Sequence, residues 1–235
     1  MKNIPLIALL LVSFALADGV PEDRSFYWGG RLSLLVGGVW DDESVKGVFN
    51  TTRSVIEESN LRKNYDMGLE FGALCWYRLN RFAGFEAEAN LRWTGFTLEN
   101  RIYNRRLDAS LDEMYDASLL VMSFDAPVVL RVTPSPNYYL ESGAQFNLNI
   151  GGEIASTEES FDFDCEGLGW ALVFGAGAFS SNPSKNLLWS AGIRLVVDMT
   201  RIEKEGIVEI KEGATYREAS PLKLWNFQLN LAFYF

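Results

Sequence analysis

Residues 225–235 of the chain read WNFQLNLAFYF. Apolar side chains occupy every odd position of this stretch, whereas the even positions hold Asn226, Gln228, Asn230, Ala232 and Tyr234. Side chains that alternate in this way point to opposite faces of a β-strand. The stretch therefore predicts a strand with one continuous apolar face and one mostly polar face.

The same alternation recurs through the chain in eight segments, at residues 25–40, 64–79, 82–97, 118–133, 137–151, 167–179, 187–202 and 222–235. Only the sixth segment, rich in glycine and alanine, leaves its faces ambiguous. Three connections are short, at residues 80–81, 134–136 and 180–186, and four are long and polar, at residues 41–63, 98–117, 152–166 and 203–221. Short turns at one end and long loops at the other are typical of outer-membrane β-barrels.

Alternation alone leaves two architectures open: a soluble barrel or sandwich with apolar faces inside, or a membrane barrel with apolar faces outside. The polar faces carry arginine but no lysine, and arginine is the usual partner of carboxylates in enclosed sites. The apolar faces carry no charge through their middles. Both features favour the membrane barrel, whose lumen-facing charged residues are predicted to be Arg31, Glu70, Arg78, Glu86, Glu88, Arg92, Asp125, Arg131, Glu141, Arg194 and Asp198.

Aromatic residues gather near both ends of the apolar faces, as they do in the two girdles that mark membrane interfaces. The predicted girdle residues are Trp28, Trp40, Tyr65, Tyr77, Trp93, Tyr138, Trp170, Trp189 and Trp225. Ten strand residues tilted by about 40° rise about 25 Å, which matches the lipid-facing band of such barrels. The sequence therefore predicts an all-β, eight-stranded antiparallel transmembrane up-and-down β-barrel whose lumen is filled by salt bridges.

The N-terminus has the features of an export signal. Residues 1–17, MKNIPLIALLLVSFALA, combine an early lysine, a short apolar run and an A-x-A site, which predicts cleavage between Ala17 and Asp18. As a membrane helix the apolar run would span only about 20 Å of a bilayer core of about 30 Å. We expect a signal peptide at 1–17, a short periplasmic segment at 18–24 and the barrel domain at 25–235 in the outer membrane.

The composition argues against several functions. The formal net charge of −10 is unfavourable for binding phosphate backbones, so no nucleic-acid partner is expected. The chain has no histidine, which removes the usual Ser-His and Cys-His pairs, and we expect no enzymatic activity. Cys75 and Cys165 are predicted to lie at opposite ends of the barrel and to form no disulfide. Three alternating acids are weak candidates for a divalent-cation site: Asp162, Asp164 and Glu166. The alternative interpretation is that they form a solvated acidic edge of the loop.

The C-terminal strand resembles the signal that bacterial barrel-assembly machinery reads, carried here by Phe227, Leu229, Leu231, Phe233 and Phe235. The mature chain also resembles the family of eight-stranded outer-membrane β-barrel domains that includes PorT-like proteins, with the small OmpA-like and OmpX-like barrels. The resembling segments are residues 123–131 (SFDAPVVLR), 91–96 (LRWTGF) and 167–179, which contains FGAG at 174–177. The resemblance implies an integral outer-membrane protein without a cofactor, and for some members a role in protein secretion.

Three functions remain open from the sequence. The first is a non-catalytic structural or interaction role for a monomeric barrel in outer-membrane lipid, with long loops that contact an extracellular or secretion-system protein. The second is an accessory factor of protein secretion, as the PorT-like resemblance allows. The third is a small channel or transport protein. The long loops carry mixed charge and no motif that identifies a ligand.

Overall fold

The computed structural model describes the backbone of residues 24–39, 47–51, 54–56, 59–63, 66–104, 109–155, 160–163, 167–182, 187–200, 207–210, 215–218 and 223–235, and the side chains of 24–38, 67–95, 120–151, 167–180, 187–200 and 223–235. These residues form the strands β1 (Phe26–Val39), β2 (Gly47–Thr51), β3 (Ser54–Ile56), β4 (Ser59–Lys63), β5 (Asp66–Arg78), β6 (Ala83–Asn104), β7 (Ala109–Ser135), β8 (Tyr138–Ala155), β9 (Ser160–Phe163), β10 (Leu168–Asn182), β11 (Leu187–Asp198), β12 (Ile207–Ile210), β13 (Thr215–Glu218) and β14 (Leu224–Tyr234). No helix in the described part of the chain is long and apolar enough to cross a membrane.

Eight strands close into an antiparallel barrel in the order β1, β5, β6, β7, β8, β10, β11 and β14. Each strand pairs with the next one along this order, and β14 returns to pair with β1 through pairs such as Leu32↔Leu231. Closure gives every strand two neighbours, so no barrel strand presents an unpaired edge. The predicted fold class is confirmed.

The strand bounds differ from the prediction mainly at the long connections. Residues 98–104 and 109–117 were predicted to lie in a loop, yet they continue β6 and β7 as a paired ladder that reaches Asn104↔Ala109. β4 extends the wall of β5 by pairing with β6, and β9 extends the wall of β10 by pairing with β8. The prediction was wrong here because polar, irregular sequence sustains antiparallel pairing once neighbouring backbones supply the hydrogen bonds.

Two of the long connections also form a sheet of their own. The four strands pair in the order β12, β13, β2 and β3, so that a strand of the first connection pairs with a strand of the last. At the short connection between β10 and β11, β10 continues to Asn182, beyond its predicted end at residue 179. At its other end, beside a long connection, β11 ends at Asp198, earlier than the predicted residue 202.

The barrel has its polar residues inside and its apolar residues outside. On β14, Leu229 is 57% exposed, whereas the adjacent Gln228 is 0% exposed. The ambiguous sixth segment follows the same rule, since Trp170 and Phe174 face outward and Val173 faces inward. A soluble barrel would reverse this arrangement, because water would drive the apolar face inward. The distribution of exposed side chains is that of a transmembrane barrel.

Leu229→Arg tests the assignment of faces. We expect it to lower the free energy of unfolding by about 2–4 kcal/mol, because an arginine near the middle of the lipid-facing band is costly to insert. Tyr77→Arg is the matched control: Tyr77 is also outward-facing but lies beside a short turn, where the same change costs about 0–1 kcal/mol. Chemical unfolding from lipid vesicles measures both. If Leu229→Arg folds into vesicles as well as the wild type, the face assignment is wrong.

Candidate functional site in the barrel lumen

Three arginines and three glutamates form a closed ring of ion pairs across the lumen, which we call the ion-pair ring. Each arginine donates hydrogen bonds to two glutamates and each glutamate accepts from two arginines, and Arg194 also lies 3.9 Å from Glu86. The ring runs from Arg31 to Glu86 (2.7 Å), Arg131 (2.5 Å), Glu141 (2.8 Å), Arg194 (2.7 Å), Glu88 (2.9 Å) and back to Arg31 (2.6 Å).

The strand registers bring these residues together. Glu86 and Glu88 lie two residues apart on β6 and therefore share its inward face. Arg131 and Glu141 are direct cross-strand partners between β7 and β8. Beside them, Gly175 leaves room for the carboxylate, since a Cβ atom at this glycine would lie 2.6 Å from Glu141 Oε1.

All six members of the ion-pair ring are buried. Charge-assisted hydrogen bonds between guanidinium and carboxylate groups are strong, and a buried charge is tolerated when it is paired in this way. Because the formal charges of the ring cancel, the six groups compensate one another without outside ions. The arrangement holds its carboxylates as acceptors of arginine and leaves none of the three free for acid–base chemistry.

A cluster of aromatic side chains fills the lumen on the short-turn side of the ion-pair ring. Trp76 stacks between Tyr27 and Phe179, with ring centroids 5.2 and 5.1 Å away, and Phe179 contacts Tyr139 at 4.8 Å. With Tyr234, whose ring lies 5.9 Å from that of Trp76, these residues form what we call the aromatic cluster.

The aromatic cluster and the ion-pair ring are bonded to each other through Arg131. Its guanidinium lies 4.1 Å from the ring centre of Tyr139, within cation–π range. It also donates to the hydroxyl of Tyr234 at 2.7 Å, and that hydroxyl donates to Glu86 at 3.0 Å. Gly177 and Gly192 make space for the Tyr139 hydroxyl, which a Cβ atom at either position would overlap.

A polar layer fills the lumen on the long-loop side of the ion-pair ring. Arg92 binds Asp125 at 3.0 Å and donates to Ser123 at 3.0 Å. Gln145 donates to Asp125 at 2.9 Å and to Asn147 at 2.8 Å. Further along the same network, Asn147 donates to Asp198 at 3.0 Å. This layer is held largely by amide and hydroxyl groups and contains one arginine.

The structure places ten of the eleven predicted lumen charges inside the barrel, all buried. The exception is Arg78, which is half-buried beside the short turn that follows β5. Its guanidinium lies 5.9 Å from the Trp76 ring and takes no part in the ion-pair ring. Arg78 was assigned to the lumen because its register is inward, but the strand ends at this residue, and the side chain reaches the rim.

The predicted girdle residues that the structure describes all lie on the outer wall. Trp28, Tyr77, Tyr138 and Trp170 are between 43% and 60% exposed. Trp93, Trp189 and Trp225 are partly exposed, and Trp40 and Tyr65 lie outside the described residues. Of the C-terminal assembly residues, Phe227, Leu229, Phe233 and Phe235 are exposed on the outer wall, and Leu231 is partly exposed.

The remaining candidate residues fall mostly outside the described side chains. Asp164, Glu166 and Cys165 lie there, as do Ala17 and Asp18, and Asp162 belongs to β9 with its side chain undescribed. Within the described residues, no three His, Cys, Asp or Glu side chains are placed to hold a metal ion. Cys75 is a free, half-buried cysteine.

The aromatic cluster is the part of the lumen that sequence reasoning did not identify. A signal was present, because Tyr27, Trp76, Tyr139, Phe179 and Tyr234 each lie in the inward register close to a short turn or a chain end. Alternation identified the inward face and the charges drew attention to salt bridges, but it does not show that large rings from distant strands meet in one layer.

The comparisons with known proteins return only distant structural similarity. No protein-family model matches the sequence, and no curated protein matches it. The outer membrane protein OprG from Pseudomonas aeruginosa is 14% identical, with a TM-score of 0.46, covering 88% of this chain and 96% of that one. Ail, the attachment invasion locus protein of Yersinia pestis, is 11% identical (TM-score 0.37, 90% and 100% covered), and the outer membrane protease OmpT from Escherichia coli is 8% identical (TM-score 0.48, 91% and 97% covered).

Arg194→Leu tests the ion-pair ring. We expect it to lower the free energy of unfolding by about 3–5 kcal/mol, because Glu88 and Glu141 each lose a partner while buried. Arg81→Leu is the control, since Arg81 is exposed on a turn and lies over the Phe82 ring; such surface changes stay within about 0.5 kcal/mol. Thermal unfolding in micelles measures both. An unchanged melting temperature for Arg194→Leu contradicts the proposed role of the ring.

Proposed function

We propose that the protein is a non-catalytic outer-membrane barrel that is exported through its N-terminal signal peptide and presents its long-loop end to a partner outside the cell. The barrel serves as a rigid, non-conducting support, and the extended strands and loops make the contact. The observation that carries the proposal is the ion-pair ring, which crosses the lumen and ties together five of the eight barrel strands.

The outer wall supports placement in a membrane. Large apolar side chains are exposed on every barrel strand. A soluble monomer rarely exposes so large an apolar surface to water. Lipid tails can cover such an apolar surface, and the closed ladder of strands supplies hydrogen-bond partners for the backbone N–H and C=O groups. The outer membrane is the proposed location because spanning barrels of this kind belong to it.

The lumen supports a non-conducting barrel. An eight-stranded barrel is just wide enough for side chains to fill its interior. Here the ion-pair ring and the aromatic cluster lie one above the other, and their members are between 0% and 6% exposed. An ion passing through would have to displace at least one buried arginine–glutamate pair and the stacked rings beneath it. We therefore favour a closed lumen over a channel.

The same contacts support a non-catalytic role. The carboxylates of the ion-pair ring already accept two arginines each, so they offer no carboxylate with an open face toward a substrate. The sequence has no histidine to act as a base in their place. Hydrolysis by carboxylates alone would need a pair of acids with separate environments, and in the ring the acids share the same arginines.

The long-loop end supports an interaction role. β7 has 27 residues, whereas crossing a membrane needs about 9–11. At about 3.3 Å per residue, the β6–β7 hairpin therefore extends well past the lipid on one side. The sheet of β12, β13, β2 and β3 lies in the connections at the same end. Ordered strands outside the lipid give a partner a fixed surface.

Cysteine labelling tests which end of the barrel faces outward. In a variant with Cys75→Ala and Cys165→Ala, we expect a membrane-impermeant maleimide to label Asn104→Cys on intact cells, because this position ends the β6 ladder at the long-loop end. Asn80→Cys, in the short β5–β6 turn, is the control and becomes labelled only after the cells are broken. Labelling of Asn80→Cys alone on intact cells would show that the proposed orientation is inverted.

Electrical recording in planar bilayers tests the closed lumen. We expect purified wild-type protein to show no discrete conductance steps, because the ion-pair ring is intact. Arg131 belongs to the ion-pair ring and also joins the ring to the aromatic cluster. Once inserted in the bilayer, Arg131→Ala should therefore produce conductance steps. Regular steps from the wild type would contradict the proposal and favour a channel.

The PorT-like resemblance supports a second candidate function, as an accessory factor of protein secretion. In the resembling segment, Asp125 and Arg131 face inward while Val128 and Leu130 face outward, so the motif is part of the barrel wall. This candidate differs from the first in its partner, which would be a secretion component. A secretion defect on deletion, restored by the wild-type chain, would favour it.

A further inference from the structure

Glu70 is a buried carboxylate of the polar layer that has no arginine partner. Its side chain is 1% exposed and accepts hydrogen bonds from Asn90 Nδ2 at 3.2 Å and Gln228 Nε2 at 3.3 Å. Within the described part of the chain, no arginine lies at ion-pair distance from its oxygen atoms. Two amide donors do not cancel a full negative charge in a buried site.

The surrounding charges leave Glu70 in surplus. The described lumen holds six buried carboxylates and four buried arginines. Three of the arginines belong to the ion-pair ring, and Arg92 binds Asp125. Asp198 has partners of its own, among them Asn147, so Glu70 is the carboxylate left without a charged partner among the described residues. A buried charge of this kind is normally balanced by a proton or by a bound cation.

Four neutral oxygen atoms lie around Glu70 without a hydrogen-bond partner. They are Ser33 Oγ, Asn90 Oδ1, Gln228 Oε1 and Asn230 Oδ1, all on buried side chains. The amide nitrogens of Asn90 and Gln228 face the Glu70 carboxylate, which fixes the orientation of both amides. Their oxygens are therefore available as acceptors a few ångströms from the carboxylate.

The strand registers put these oxygen atoms on one patch of the wall. Ser33 lies directly opposite Glu70 on one side and directly opposite Asn230 on the other. Residues opposite each other in an antiparallel ladder have Cβ atoms about 4.5–5.5 Å apart. The patch spans β14, β1, β5 and β6 on the long-loop side of the ion-pair ring.

We infer that this patch binds one monovalent hard cation, sodium, with Glu70 supplying the charge and Ser33, Asn90, Gln228 and Asn230 supplying neutral oxygen ligands. Hard cations prefer oxygen ligands of this kind. A single positive charge is enough to cancel that of Glu70. The ion reaches the patch from the long-loop side, because the aromatic cluster lies on the other. The site is independent of the proposed role of the loops.

Thermal unfolding of the full-length protein in micelles tests the site. At fixed pH and ionic strength, we expect the melting temperature to be several degrees higher in sodium chloride than in choline chloride and to saturate with concentration, as it does for a single bound ligand. Choline screens charge equally, but its three methyl groups keep oxygen ligands away from the charged nitrogen. Glu70→Gln should remove the sodium–choline difference while leaving a folded barrel.

Two further variants keep the test decisive. Asn230→Leu removes one neutral ligand and leaves Glu70 in place, so it should move the response to higher sodium concentrations. Gln145→Met is the matched control: it removes a buried amide whose Oε1 is also unpartnered, but beside Asp125, which Arg92 neutralises. It should keep the wild-type sodium response. If Glu70→Gln does not fold, the comparison of the sodium responses of Asn230→Leu and Gln145→Met tests the site instead.

Three results would overturn the inference. Equal melting temperatures in sodium and choline for the wild type would show that water or a proton satisfies the patch. Glu70→Gln that is more stable than the wild type in both salts would show that the charge of Glu70 stays unbalanced even in sodium. A saturating response to calcium at concentrations far below those of sodium would show that the site is divalent.

Discussion

Buried charge inside a closed barrel must be compensated, and the ion-pair ring meets this constraint for six charged groups. Its members come from β1, β6, β7, β8 and β11, and one pair joins residues 106 positions apart in the chain. The ring is therefore complete only when the barrel has closed. Replacement of a buried ion-pair network by apolar residues is often neutral for stability, whereas removal of one member is costly. Because a slip of one residue would turn a ring member to the outer wall, the ring forms only in one register of the five strands that it joins.

The apolar outer wall and the polar lumen both follow from the alternation of side chains between the two faces of each strand. Along each strand, one set of side chains meets lipid and must be apolar, while the other set meets the lumen and must satisfy its own polar groups. Toward the short turns the lumen is filled by the aromatic cluster, and toward the long loops by amides and hydroxyls. Arg131 joins the aromatic cluster to the ion-pair ring, which makes the short-turn half one bonded unit.

The sequence was sufficient to predict the strands, their faces and the buried charges, because alternation determines which side chains share a face. It was not sufficient to predict partners. That Arg194 lies 2.9 Å from Glu88 and 3.9 Å from Glu86 depends on the stagger of strands that are distant in the chain, and on glycines such as Gly175 that leave space in the lumen. The extension of β6 and β7 beyond the predicted ends was missed because polar residues give no alternation signal there. Arg78 has an inward register but lies at the rim, because the alternation of side chains does not show where a strand ends.

The most direct test of the account is the migration of the protein on a gel, from an isolated outer-membrane fraction, with and without boiling. A closed barrel held by a continuous ladder and a buried ion-pair ring should resist detergent at room temperature and change its migration only when boiled. The account predicts such a shift, with the protein in the outer-membrane fraction. A protein found in the soluble periplasmic fraction, with no shift on boiling, would contradict it and would mean that the apolar faces point inward.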